Sequence, residues 1–161
     1  MAANILLKFA DIAGESKQTD FTEWIECESL SFGVHAPVAM SGTGLGSSQP
    51  SFSGYSISTI MGAHSHEVLE KMLNGKHHVT IEINVLKLTG DANGQTYWKL
   101  NGKKGYIESI NWSIVSGDVF RESILFHPEE HALEYFKQST EDGTLTSTGA
   151  KTYNVQEAKT S

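Results

Sequence analysis

The sequence predicts a mainly β fold, a barrel or sandwich carrying one short α-helix. Two observations point there. One helical pattern, SHEVLEKMLNG from Ser65 to Gly75, stands alone between long runs that read as strands. The clearest of those runs is residues 79–85, where Val79, Ile81, Ile83 and Val85 alternate with Thr80, Glu82 and Asn84. Such an inventory argues against an enzyme built on alternating α/β units. At 161 residues the chain suits one domain, long enough to bury roughly two-thirds of the surface its unfolded form exposes.

Taken in order, the first strand is expected at residues 5–9, followed by a turn at Gly14. In the next extended run, 24–34, Ile25 and Cys27 share one parity whereas Leu30, Phe32 and Val34 share the other. A period-two pattern changes phase only by accommodating an extra residue, so a bulge or bend is expected near Glu28 and Ser29. Residues 39–51 are rich in Gly and Ser and read as a flexible loop. A weaker strand follows at 52–61, diluted by serines and Gly54.

The helix has local signals at both ends. Ser65 is expected to cap its start, Glu67 complements the positive end of the dipole, and Gly75 supplies a left-handed residue at its close. Val68, Leu69, Met72 and Leu73 are expected on its buried face, because a helix this short persists only when docked. After the strand at 79–85, Leu86 and Leu88 shift phase, and GDANGQ, residues 90–95, reads as a turn. Strands are then expected at 96–100 and 106–115, with Ile110, Trp112 and Ile114 on one face, joined by a hairpin turn in LNGKKGY. Residues 116–118 turn the chain into a strand at 120–126. Proline cannot donate to a ladder, so pairing should break at Pro128 in HPEEH and resume at 132–136. The tail, 139–161, is poor in large apolar residues, although Leu145, Tyr153 and Val155 suit docking.

Charge and composition narrow the function. The net charge of −7 is spread along the chain, which favours solubility and argues against nucleic acid as a partner. The only cysteine, Cys27, excludes an intrachain disulfide and reads as a buried small hydrophobe, compatible with synthesis in a reducing cytoplasm. The short apolar run near the N-terminus is broken by Lys8 and Asp11, so neither a cleaved signal nor membrane insertion is expected.

Motifs for chemistry are weak. Gly42, Gly44 and Gly46 lack the spacing of a dinucleotide cradle. Seven histidines, among them His64, His66, His77, His78, His127 and His131, read as surface or turn residues better than as a metal set. Glu129 and Glu130 point apart if extended and make no acid/base pair. Trp24, Trp98 and Trp112 suit a barrel core or subunit interface better than a sugar platform. No catalytic residue, metal or cofactor is expected.

Several segments together carry a resemblance: ILLKFADIAGES at residues 5–16, WIECESLSFGV at 24–34, the Gly/Ser-rich stretch, the capped helix ending in NGKH, TYWKLNGKKGYIESINWSI, ESILF, and EYFKQ closing at Gln138. In this order the chain resembles the haemolysin-coregulated protein (Hcp) family over residues 4–138. The resemblance implies a two-sheet β-barrel with one short α-helix, related to phage tail-tube barrels. It implies a domain at 1–138 and a C-terminal extension at 139–161, either flexible or docked on the ring. In function it implies a homohexameric ring that stacks into the inner tube of a bacterial type VI secretion system. That tube is assembled in the cytoplasm with sheath, baseplate and spike proteins, then expelled without a cleaved signal, carrying small secreted effectors in its lumen. It also places an extended loop at residues 39–51, where ring-to-ring contact is expected; Ser41, Gly42, Thr43, Gly44, Leu45, Gly46, Ser47 and Ser48 are the candidate stacking residues, and Leu45, the one large aliphatic residue among these glycines, is read from composition as the anchor, a simple solvated linker being the alternative. The rival readings are a phage or phage-like tail tube, a soluble ligand-binding barrel, and a secreted hydrolase.

Overall fold

The computed structural model describes residues 5–75, 79–87, 94–155 and 157–160. The expectations for His77, His78, Leu88 and the turn at 90–93 lie outside them. In chain order the elements are β1 (Ile5–Phe9), β2 (Ile25–Ser31), β3 (Val34–His35), β4 (Val38–Ser41), β5 (Gly44–Ser47), β6 (Ser51–Phe52), β7 (Tyr55–Ile60) and α1 (Ser65–Leu73). There follow β8 (Val79–Lys87), β9 (Gln95–Ser113), β10 (Arg121–His127), β11 (Glu130–Gln138), β12 (Leu145–Ser147), β13 (Lys151–Asn154) and β14 (Lys159–Thr160).

Hydrogen bonding passes from β10 through β7, β2, β1 and β8 to β9, and β9 pairs again with β10. The path therefore closes on itself as a barrel, with every named pairing antiparallel. A barrel this narrow is filled by its own side chains. Phe9, Tyr55, Ile57, Ile81, Ile83, Leu100, Ile124 and Phe126 are all fully buried within it. The expected bulge in β2 is present: the β2–β7 register shifts between Cys27 and Ser29, leaving Glu28 unmatched. This shift turns Leu30, and Phe32 just beyond the strand, toward the core after Ile25 and Cys27.

The hairpin expected in LNGKKGY does not exist. β9 runs unbroken through it for 19 residues. Its glycines serve close approach, not reversal. A Cβ on Gly102 would lie 2.8 Å from the Pro128 ring, and one on Gly105 only 2.3 Å from the Phe126 ring. Lys104, at φ 52°, occupies the left-handed region. The register accordingly skips there, pairing Val79 with Gly105 but Ile81 with Gly102. On the facing side the chain breaks at Pro128 as expected. β11 then begins at Glu130, two residues before the expected start, because the Glu129 N–H donates to the Lys103 carbonyl at 3.0 Å and holds the chain against β9. Thus β10 pairs with the second half of β9 and β11 with the first.

Three local expectations are corrected. Ser65 is the first helical residue and not the cap: His64 precedes it with helical dihedrals and no side-chain cap, and the Ser65 hydroxyl accepts from the Gly62 N–H at 3.2 Å. The buried stripe of α1 runs through Ser65 and Val68 to Met72, which leaves Leu73, one residue further round, 73% exposed. In β8 the expected phase change at Leu86 is present, as a register shift between Val85 and Leu86 that places Leu86 inside with Asn84. At the far end of β9, Trp112 and Ile114 are exposed and do not continue the apolar face into the core. The chain after Gln138 is docked: β12 and β13 both pair with β11, and the Val155 N–H donates to Glu129.

Replacing Gly105 with Ala is expected to lower stability by about 1–3 kcal/mol, the cost of forcing a methyl into a packed site. Gly46→Ala, with no atom within 4 Å of the added methyl, is expected to stay within about 0.5 kcal/mol of the parent. Denaturant midpoints compare them. Equal small effects would remove the tight corner.

Candidate functional site

The Gly/Ser-rich stretch, expected as a loop, is a hairpin arm of paired strands. Two short ladders build it: β3 with β6 at the root, pairing Val34 with Phe52, and β4 with β5 at the tip. The Gly33 N–H donates to the Ser53 hydroxyl at 2.8 Å, the Ser53 N–H donates back to Gly33 at 3.0 Å, and the Ser48 N–H donates to Pro37 at 2.8 Å. A two-residue connection, Gly42 and Thr43, closes the tip, with Gly44 at φ 129° and the Ser41 and Thr43 hydroxyls 2.9 Å apart.

Register sorts the arm into two faces. Met40 lies opposite Leu45 and Val38 opposite Ser47, so these four share one face, while Ala39, Ser41, Gly44 and Gly46 share the other. The large side chains have no cover: Met40 is 85% exposed, Leu45 73% and Val38 66%. The eight expected residues, Ser41, Gly42, Thr43, Gly44, Leu45, Gly46, Ser47 and Ser48, are together at or beside the tip. Leu45 is not a lone anchor, because it forms a cross-strand pair with Met40. The alternation of Val38, Ala39, Met40 and Ser41 is the sequence signal for this strand. The whole span 29–66 contains no Asp, Glu, Lys or Arg.

The root of the arm is fastened to β11 and to the C-terminal strands. Phe52 stacks on His131 at 3.9 Å between centroids and meets Tyr153 at 5.3 Å. The Gln49 side chain donates to the Val155 carbonyl at 3.3 Å. Beneath them the Tyr55 hydroxyl is 2.7 Å from His131 Nδ1. Burial pushes the Tyr55 phenol up, so it stays protonated and donates. Burial also lowers His131 to about 4, so at neutral pH its ring is uncharged, accepts at Nδ1 and carries its proton on Nε2, which is buried without a partner.

A second buried cluster pins the start of α1. His64 Nε2 donates to Glu122 Oε1 at 3.1 Å, and Trp112 Nε1 donates to Glu122 Oε2 at 2.6 Å. Burial raises the Glu122 carboxyl, but the His64 and Trp112 hydrogen bonds and the charge of His64 outweigh it and hold the group below its ordinary value. His64 and His131 are therefore interior residues, contrary to the surface reading, because partners distant in sequence enclose them. His127, by contrast, is part-exposed and bonded to Glu108. Burial pushes the Cys27 thiol up to about 12, so it is not a nucleophile at neutral pH. Among the described residues no three His, Cys, Asp or Glu side chains gather as a metal set. The three tryptophans do not form one platform: Trp24 packs on Phe21, Trp98 on Phe32, and Trp112 bonds Glu122.

A family model described as type VI secretion system effector, Hcp, matches residues 6–145. Among solved structures, one of a type six secretion system protein superposes with a TM-score of 0.89 at 20% identity, covering 99% of this chain and 100% of that one. Hcp1 from Salmonella typhimurium gives 0.77 at 20% identity with 100% of both chains covered. A type VI secretion system effector from Yersinia pestis gives 0.70 at 19% identity, covering 94% and 99%. Curated protein sequences give no match.

The buried His131 makes stability depend on pH. Its folded pKa of about 4 lies below the ordinary 6.5, so the unfolded chain binds the extra proton first. The contribution is full above pH 6.5 and is lost as pH falls toward 4, a change on the order of 3 kcal/mol. His131→Phe is expected to flatten the denaturation midpoint across this window. An unchanged slope would place the titrating group elsewhere.

Proposed function

This chain belongs to the Hcp family of type VI secretion proteins, whose model matches residues 6–145, and on that premise we propose that it is a structural subunit of the secretion tube. Six copies close laterally into a ring, and rings stack into a tube that a contractile sheath expels with spike and cargo. Small effectors travel in the lumen. The protein is assembled in the bacterial cytoplasm and released to the extracellular space or a target cell. Among the described residues no helix is long and apolar enough to cross a membrane.

The observation that carries this reading is the arm. Burying one Leu or Met side chain is worth roughly 1.5–3 kcal/mol, available here only if another molecule covers the Met40–Leu45 pair. Each ring presents the arm in every subunit, so a modest gain per copy multiplies across the contact. A structural and non-enzymatic role is further supported by the ionisable groups in the interior. His64 and Glu122 bond each other, His131 bonds Tyr55, and Cys27 stays protonated, so each serves the fold.

Deleting residues 41–48 is expected to leave hexamers intact by light scattering while abolishing tubes and reducing secretion. Leu45→Asp is expected to weaken stacking at least tenfold, since a loss of about 1.4 kcal/mol already gives that factor. A deletion variant that stacks and secretes normally would reject the arm's role. A monomer mass for the parent protein would reject the ring.

A further inference from the structure

A cleft of about 200 Å³ opens beside the start of α1, with Ile25, Ile60 and Met61 as its apolar wall and Glu15, Glu26 and His64 as its polar one. His64 is an interior residue, 3% exposed, yet the fold satisfies only one of its ring nitrogens. Nε2 donates to Glu122, so in the imidazole form Nδ1 is left as an acceptor. That nitrogen turns toward the loop at Gly62, where Glu15 meets it. A Cβ on Gly62 would lie 2.7 Å from Glu15 Oε2 and 3.4 Å from His64 Nδ1. The two acceptors therefore converge on one point, which the glycine leaves empty. Among the described residues no ion pair or hydrogen bond joins them, and neither Glu15 nor Glu26 has an ion-pair partner. No Lys or Arg lines the cleft. Arg121, opposite Ile60 in the β7–β10 register, is already held by Asp118 at 2.8 Å and by Glu28 at 3.3 Å.

We propose that this cleft binds a primary alkylammonium group, the chemistry shared by a lysine side chain and a free polyamine. An ammonium offers three N–H donors and no acceptor. The cleft offers the complement: the Glu15 carboxylate and the His64 Nδ1 lone pair at one point, with the Glu26 carboxylate in the same wall. Ile25, Ile60 and Met61 give the methylene stem an apolar surface to lie on while its charged end reaches the polar groups. Convergence on a point suits a compact ammonium better than a planar guanidinium fork, which pairs with two acceptors side by side. A divalent metal is served less well, because no three His, Cys, Asp or Glu side chains gather among the described residues. The buried bond from His64 to Glu122 orients the ring, so the acceptor is in place before the ligand arrives. A net charge of −7 favours the approach of a cation. The site is independent of the tube reading.

Methyl NMR of the full chain with carbon-13 methionine methyls tests the site, because Met61 is in the cleft wall whereas Met40 is on the arm and Met72 packs on the core. At pH 8 the protein is titrated with 1-aminobutane, with 1,4-diaminobutane and with Nα-acetyl-lysine methylamide, and 1-butanol is the uncharged control. The expected result is a saturable shift of the Met61 signal with the amines, while Met40 and Met72 stay unmoved. Affinity is expected to fall at least tenfold in Glu15→Gln, an exposed position, and in Gly62→Ala, whose methyl occupies the point of convergence. Diamine binding at least tenfold tighter than the lysine derivative assigns the site to free polyamines; a smaller difference assigns it to a lysine side chain. Equal shifts with 1-butanol would reduce the cleft to an apolar surface and overturn the proposal. A Met61 response to zinc chloride but not to the amines would make it a metal site instead. Amine binding undiminished in both variants, or no saturable shift with any amine, would also overturn it.

Discussion

The structure depends on the corner where β9 and the β10–β11 strand bend together. Gly102 lies under the Pro128 ring and Gly105 under the Phe126 ring, and neither approach leaves room for a side chain. Because β9 bends here without breaking, its first half serves β8 and β11 while its second half serves β10. β10 can then reach β7, and the barrel closes. The same bend drives Phe126 into the core against Phe9 and Tyr55, with centroids 6.1 Å and 6.2 Å away. It also directs β11 outward, where His131 lies beneath Phe52 at the arm's root and the C-terminal strands add to the sheet.

The two buried polar clusters follow from that closure and divide its ends between them. One ties β10 to the start of α1 through Glu122 and His64; the other ties β7 to β11 through Tyr55 and His131. Neither is strong evidence for stability by itself, since desolvation offsets much of what a buried pair gains. Their effect is specificity of position, because deleting one partner leaves the other buried and unmatched. The first holds the start of the helix at one end of the barrel, and the second holds the arm at the other. On the proposed tube role, function resides in what the closed barrel leaves uncovered.

Much of this was legible from residue pattern. The limits of β1, the bulge at Glu28, the left-handed Gly75 and the break at Pro128 each have a local physical cause, and each stands where that cause puts it. The failures share a different property. Asn-Gly-Lys-Lys-Gly is the same local signal whether the chain reverses or passes beneath a bulky neighbour, and only Phe126 and Pro128 distinguish the two. The HPEEH run reads as exposed, yet Phe52 and Tyr55, far away in sequence, enclose His131. In the arm, small residues thin out the period-two pattern, so that Leu45 stands out and its partner Met40 does not. Ser65 reads as a cap because the pattern cannot show that His64 is already helical and occupied with Glu122.

Hydrogen exchange along the arm tests most directly whether the barrel presents a face that only another copy covers. An isolated two-stranded ladder is marginal in water, so the amides of β4 and β5 are expected to exchange rapidly in dispersed protein and to become protected when it assembles, while those of β8 stay protected throughout. Equal protection of β4 and β5 in both states would contradict the account, since the arm would then be stable without a partner.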